Sequence, residues 1–103
     1  MKSVTLNNGV EMPQLGLGVF QVQDLAVCER SVLDAIEAGY RHFDTAAFYN
    51  NEESVGRAVA ESDVPREEFF LVTKVWNSDQ GYNSTLRAFE TSLKKLGLSL
   101  IHI

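Results

Sequence analysis

Phe69-Phe70-Leu71-Val72-Thr73-Lys74 forms a near-continuous apolar, β-branched and aromatic run that ends in a lysine. Such a run is typical of a strand that is covered on both faces, as in a parallel sheet. Parallel strands need long crossover connections, which are usually helices. The run therefore predicts a parallel sheet, with helical segments on either side of this strand.

Three segments combine apolar residues at helical spacing with a predicted helix start and stop. They are residues 25–38 between Asp24 and Gly39, residues 51–62 from Asn51-Glu52-Glu53 towards Pro65, and residues 85–96 between Ser84 and Gly97. Asp and Ser accept hydrogen bonds from the free amides of a first turn, and Gly adopts the left-handed conformation that ends a helix. The glutamates at positions 52, 53, 67 and 68 are expected to be helix-start charges and solvated surface.

Strands are predicted in the remaining segments. Residues 4–6 and 10–12 flank Asn7-Asn8-Gly9, where Asn and Gly supply the positive φ angles of a tight hairpin. Residues 14–20 suit a buried strand that leads into a loop, and residues 40–44 suit another. After the hairpin, strand and helix alternate three times, which predicts an α/β fold with right-handed crossovers.

Composition excludes several classes of protein. The 103 residues are 45% apolar and 22% charged, as expected for one globular unit. The net charge is -5 and the longest basic run is Lys94-Lys95, so no nucleic-acid partner is expected. No signal peptide or membrane span is visible, which predicts a cytoplasmic protein without a membrane partner. Cys28 is the only cysteine and is expected to be a core thiol, and no metal site is predicted.

Residues with chemical potential follow the predicted strands. The three strands end at Gly18, Asp44 and Lys74, and Tyr49 lies in the loop after Asp44. Parallel α/β folds bind ligands at the carboxyl ends of their strands. A purely structural alternative is open, in which Asp44 caps a turn, Tyr49 packs on the rim and Lys74 reaches to water.

Several segments resemble the aldo-keto reductase family. The sequence from Arg41 to Glu52 is similar to its signature around a catalytic aspartate and tyrosine, and residues 15–20, 51–56 and 72–76 extend the likeness. The similarity is greatest to bacterial members that reduce diketogluconate and methylglyoxal. The resemblance implies a (β/α)8 TIM barrel opened by a β-hairpin, which needs roughly 250 residues. Residues 1–98 would then be its amino-terminal portion, a hairpin and three βα units.

The resemblance implies NADP(H)-dependent reduction of aldehydes or ketones to alcohols, in a parent enzyme that is a monomer. It implies that Asp44, Tyr49 and Lys74 are catalytic, with Tyr49 as the acid. Such a reaction needs a proton donor at the carbonyl oxygen. A phenol has a pKa of about 10, and a neighbouring ammonium would make it a better acid. An aspartate would in turn keep that lysine charged.

Other site assignments also come from the resemblance. Residues 18–20 resemble the first loop of the family, and Trp76 resembles a wall of its substrate pocket. The resemblance thus implies that the cofactor contacts Gly18, Val19, Phe20 and Asp44. It also implies that the substrate contacts Phe20, Tyr49 and Trp76. His42 is expected to point away from Asp44 and to be structural.

Two other functions are compatible with the same residues. The first is a nicotinamide-binding regulatory subunit that retains the scaffold and turns over slowly. The second is a Schiff-base lyase with Lys74 as its nucleophile. The nearby Asp44 argues against the lyase, because it would keep Lys74 protonated.

The carboxyl-terminal tail does not follow the family pattern. The family places a further histidine at the end of its fourth strand, and His102 comes too early in the chain to match it. Residues 98–103 also match the translation of a transposon-end adapter used in DNA library preparation. We therefore expect residues 99–103 to be a non-native tail and leave His102 out of the catalytic residues.

Overall fold

The computed structural model describes residues 2–99 and residue 101. It has an α/β fold in which a small hairpin precedes three strand-helix units. In chain order the elements are β1 (Ser3–Thr5), β2 (Glu11–Pro13), β3 (Gly16–Gly18), α1 (Leu25–Glu37), β4 (His42–Asp44), α2 (Glu52–Glu61), β5 (Phe70–Val72) and α3 (Tyr82–Leu96). No helix in this described part is long and apolar enough to cross a membrane.

The opening hairpin is confirmed with its predicted loop at Asn7-Asn8-Gly9, although only the glycine of this loop has a positive φ. Strands β1 and β2 pair antiparallel, and the amide of Leu6 donates to the carbonyl of Val10 at 2.7 Å. Gly9 has a φ of +86°, whereas the two asparagines before it keep negative φ angles. The side chain of Asn8 instead accepts a hydrogen bond from the amide of Val10 at 3.1 Å. This three-residue loop needs only one left-handed residue, and glycine supplies it.

The sheet is parallel, with strand order β3-β4-β5. Its register aligns three rows of residues: Gly16 with His42 and Phe70, Leu17 with Phe43 and Leu71, and Gly18 with Asp44 and Val72. Phe43 and Leu71 are each 1% exposed and pack into the core with residues of all three helices. Because side chains alternate along a strand, the other two rows face the opposite side of the sheet.

The prediction that β3 is buried is wrong. Leu15 is exposed and Leu17 is only half-buried. Within the described residues β3 pairs with β4 alone, so one of its edges carries no partner strand. A strand at the edge of a sheet is covered less completely than a central strand such as β4.

The helix boundaries agree with their sequence signals except at the start of α3. Asp24 caps α1 and accepts a hydrogen bond from the amide of Val27 at 3.1 Å. The expectation that Ser84 caps the third helix is wrong, because α3 begins at Tyr82 after Gly81. Gly81 has a φ of +131°, a backbone conformation open to glycine, and it turns the chain into the helix before Ser84 is reached.

Candidate active site

The carboxyl ends of the strands meet at one edge, as predicted. Beyond the strands the parallel hydrogen bonding continues: the amide of Thr45 donates to the carbonyl of Val72 at 2.8 Å, and the amide of Ala47 donates to that of Lys74 at 3.2 Å. Lys74 follows Val72 by two residues and thus lies on the same side of the sheet as Val72 and Asp44. The backbone therefore brings the aspartate and the lysine together.

Lys74 is the centre of the site. Its Nζ donates hydrogen bonds to Asp44 Oδ1, to the carbonyl oxygen of Thr45 at 2.9 Å and to Tyr49 Oη at 3.4 Å. The same nitrogen lies 5.0 Å from the centre of the Tyr49 ring. An ammonium has three protons to donate, and all three have an acceptor here. The structure thus brings Asp44 and Tyr49, two of the predicted catalytic residues, into contact with the third, Lys74.

The environment of Lys74 favours its charged form. Burial alone would lower the pKa of Lys74, but the hydrogen bonds to Asp44 and Tyr49 together with the charge of Asp44 outweigh it, and the pKa is raised above its usual value. A lysine acts as a nucleophile only after losing its proton. The raised pKa therefore argues against a Schiff-base lyase, as the position of Asp44 did in the sequence.

Aromatic side chains border this charged cluster. The Phe20 ring lies 5.2 Å from the Tyr49 ring at an angle of 52°, and the Trp76 ring stacks on Phe48 at 3.8 Å. Phe20, Phe48 and Trp76 are all exposed. Phe48 was not among the predicted site residues, although its position next to Tyr49 in the sequence could have suggested it.

Gly18, Val19 and Phe20, which were predicted to contact a cofactor, differ in the part of the residue that is accessible to a ligand. A Cβ built at Gly18 would meet no atom within 4 Å, so the end of β3 is open. Val19 is 1% exposed, and its side chain belongs to the hydrophobic core. Only the backbone of Val19 can face a ligand, whereas Phe20 presents its whole ring.

Two buried polar residues at the start of α2 were not predicted as part of the site. Asn51 bonds to Thr45 and to the loop after β3, and Glu52 Oε2 accepts a hydrogen bond from the Thr73 hydroxyl at 2.7 Å. Glu52 is 2% exposed, so the expectation of a solvated surface charge is wrong for it. An acidic residue at a helix start is usually exposed, and the local sequence gives no signal of the contact with Thr73.

His42 is structural, but its predicted direction is wrong. Residues two apart in a strand share a face, so His42 and Asp44 lie on the same side of β4. His42 Nδ1 is 3.0 Å from the carbonyl oxygen of Pro13, and its ring meets the edge of Phe70 at 5.0 Å. It therefore joins the hairpin to the sheet. His102 lies outside the described residues.

The similarity of the sequence to known proteins agrees with this arrangement. The aldo/keto reductase family model matches residues 14–103. The chain belongs to the aldo/keto reductase family. Its relatives include the 9,11-endoperoxide prostaglandin H2 reductase of Trypanosoma cruzi, which is 60% identical over 97% of this chain and 35% of its own length. The glyoxal reductase of Bacillus subtilis is 54% identical over 98% of this chain and 37% of its own length.

A solved aldo-keto reductase has the same fold over this segment. The structure of the Bombyx mori enzyme in complex with NADP superposes with a TM-score of 0.91 at 40% identity, over 97% of this chain and 36% of that one. The chain thus spans little more than a third of the length of these relatives. The prediction of an amino-terminal part of a (β/α)8 barrel is confirmed, with the hairpin followed by three βα units.

Proposed function

We propose that the protein carrying this segment reduces aldehydes or ketones reversibly to alcohols with NADP(H). The observation that carries the proposal is the contact of Lys74 Nζ with both Asp44 and Tyr49 at the carboxyl ends of parallel strands. The glyoxal reductase of Bacillus subtilis and the NADP complex of the Bombyx mori enzyme support the substrate class and the cofactor.

The open edge of the sheet fits a flat nicotinamide ring. Gly18 has no side chain there and faces open space, while Phe20 offers an exposed aromatic face beside Tyr49. We assign Gly18, Phe20, Asp44 and the backbone of Val19 to the cofactor. Phe20, Tyr49 and Trp76 would contact the carbonyl substrate. Bound NADPH would supply the hydride.

In the proposed mechanism Tyr49 Oη donates its proton to the carbonyl oxygen as negative charge develops there. The ammonium of Lys74, 3.4 Å from that oxygen, stabilises the phenolate that remains. Asp44 and the carbonyl of Thr45 hold Lys74 charged and in place. The interaction of Lys74 with Tyr49 strengthens as charge moves onto the tyrosine, and such differential stabilisation accelerates a reaction.

The test uses a completed reductase, in which residues 1–98 of this chain continue into the carboxyl-terminal portion of the Bacillus subtilis glyoxal reductase. We expect it to oxidise NADPH when a reactive aldehyde is added. Tyr49→Phe keeps the ring and removes the proton, so kcat should fall by about 10² to 10⁴ while NADPH affinity stays near the parental value. Tyr82→Phe makes the same change at a residue that is 85% exposed and should leave kcat unaltered. A Tyr49→Phe variant retaining more than about a tenth of the parental kcat would refute the acid assignment.

We also propose that the parent enzyme is a monomer and that its partner is a small carbonyl compound. We further propose that the native segment ends near residue 98. Sedimentation of the completed reductase tests the first of these. The coding DNA beyond Gly97 tests the last, because native codons running on into the barrel would contradict a foreign tail at residues 99–103.

A further inference from the structure

Asn51 occupies the N-cap of α2, yet its side chain does not cap that helix. An asparagine at this position usually accepts a hydrogen bond from a first-turn amide, which stabilises a protein by about 1 kcal/mol. The Asn51 side chain is instead 0% exposed and makes three hydrogen bonds to other parts of the chain. The carboxamide therefore serves the contacts between loops and not the helix end.

The donor end of Asn51 holds a strained turn. Its Nδ2 donates to the carbonyl of Val19 at 3.0 Å and to that of Val22 at 3.1 Å, and the amide of Val22 closes the turn onto Val19 at 3.1 Å. Inside this turn Gln21 has a φ of +66°. The left-handed conformation costs a residue other than glycine roughly 1–2 kcal/mol. One amide group thus fixes both ends of a turn that would otherwise favour another conformation.

The turn and the acceptor end of Asn51 lead to two different parts of the site. Phe20 projects from the turn, 61% exposed, with its ring 5.2 Å from that of Tyr49. At the other end, Asn51 Oδ1 accepts a hydrogen bond from Thr45 Oγ1 at 2.6 Å. The carbonyl of Thr45 is in turn an acceptor for Lys74. A single buried side chain therefore connects the aromatic wall with the charged cluster.

We propose that Asn51 is a positioning residue that sets the place of the Phe20 ring relative to the cluster of Asp44, Tyr49 and Lys74. This inference rests on the proposed function, in which the carbonyl compound binds against Phe20 and this cluster. Asn51 is buried beneath the loop and acts only through Phe20 and Thr45. Substrates should therefore respond to it through KM, since Phe20 would contact the substrate and takes no part in proton transfer.

The first experiment is Asn51→Asp in the completed reductase. Aspartate has the same shape and still accepts from Thr45, but it cannot donate and turns a carboxylate towards two carbonyls. We expect KM for a reactive aldehyde to rise about tenfold, and kcat to fall by less than about threefold. Asn83→Asp, an equal change at an exposed position of α3, is the control and should leave both constants unaltered.

A double-mutant cycle with Phe20→Ala separates positioning from general damage. If Asn51 acts through Phe20, then Asn51→Asp should change KM by less than about twofold once Phe20 is alanine, because coupled residues are non-additive. Full additivity of the two effects on KM would overturn the proposal, and so would a parental KM in Asn51→Asp.

Two further measurements keep the inference testable in any case. If Asn51→Asp does not fold, Gln21→Pro at the exposed tip replaces it, because proline cannot adopt a φ of +66°. A raised KM in Gln21→Pro supports the proposal and a parental KM overturns it.

If the completed reductase reduces no aldehyde, the proposed function fails, and hydrogen exchange at the Val22 amide then tests whether Asn51 holds the turn in place. Exchange at least about tenfold faster in Asn51→Asp supports positioning, and unchanged exchange overturns it.

Discussion

Lys74 Nζ lies 3.4 Å from Tyr49 Oη and donates to Asp44 Oδ1 at the same time. The lysine thus couples a phenol to a carboxylate that stands on a neighbouring strand. Residues 44 and 74 belong to different strand-helix units, so their contact depends on the parallel register of β4 and β5. In the proposed mechanism, the charge of Lys74 therefore acts directly on Tyr49 Oη.

The first prediction concerns the titration of Lys74. Its pKa is raised although burial opposes this, so removing the charge of Asp44 should let burial dominate and lower it. In the completed reductase, Asp44→Asn should shift the NMR titration of the Lys74 side chain to lower pH. Lys74→Met should reduce kcat by about 10² to 10⁴, the same range as expected for Tyr49→Phe, and Asp44→Asn should reduce kcat less. An unshifted titration would contradict the role of Asp44.

The raised pKa of Lys74 also determines how the stability of the fold depends on pH. A group whose pKa is raised on folding binds its proton more tightly in the folded state. Its contribution to stability is complete below the unfolded pKa and is lost as pH rises through the folded value. Lys74 should therefore stabilise the fold up to about pH 10, the usual range of lysine, and less above it.

A second prediction concerns Cys28, which is buried in the core. Burial raises the pKa of its thiol and outweighs the opposing hydrogen bond to Ser54. A buried thiol that holds its proton is a poor nucleophile. Iodoacetamide at pH 8 should leave the Cys28 peptide of the folded completed reductase unmodified and should modify it in denaturant. Ser3→Cys on the exposed strand β1 is the positive control, and equal labelling of both cysteines would contradict the buried placement.

Periodic and local signals predicted most of the fold. The apolar stripe of α1 with Asp24 before it and Gly39 after it shows up in the sequence because both capping residues act within a few positions of the helix ends. The prediction that Asp44 and Lys74 lie at one edge of the sheet followed from the rule that the carboxyl ends of parallel strands meet at the same edge. These predictions needed no knowledge of tertiary contacts.

The remaining features depend on contacts that the sequence does not display. From the sequence, Asn51 is expected to cap a helix. It links two loops instead, because the Val19–Val22 turn packs beside it and accepts its hydrogen bonds. The sequence predicts a solvated Glu52, whereas in the structure Glu52 is buried and accepts a hydrogen bond from Thr73, the residue that follows β5. The start of α3 at Tyr82 follows from the φ of Gly81, which overrides the capping tendency of Ser84.

A third prediction concerns the packing of α2 on α3 at Gly56. A Cβ at this position would clash with the carbonyl oxygen of Leu96, which is backbone and cannot turn aside. Alanine usually stabilises a helix relative to glycine. Here we expect Gly56→Ala to lower the free energy of unfolding of the completed reductase by about 1–3 kcal/mol, as overpacking does. Gly18→Ala, whose Cβ meets no atom within 4 Å, is the control for stability in a urea titration. A stabilised Gly56→Ala would show that the helices lie further apart.

The last prediction concerns the 103-residue chain on its own. Within the described residues, β3 and β5 each pair only with β4, so two strand edges of the parallel sheet have no partner. Unpaired edges and exposed apolar side chains such as Leu15 and Leu86 promote association between chains. The chain also spans little more than a third of the length of its relatives. We expect the isolated chain to aggregate, to unfold without a cooperative transition and to show no aldehyde-dependent oxidation of NADPH. Light scattering after size exclusion, thermal melting and the NADPH assay check this, with the completed reductase as the positive control. A soluble monomer that melts cooperatively and reduces an aldehyde would show that this segment alone builds a working site.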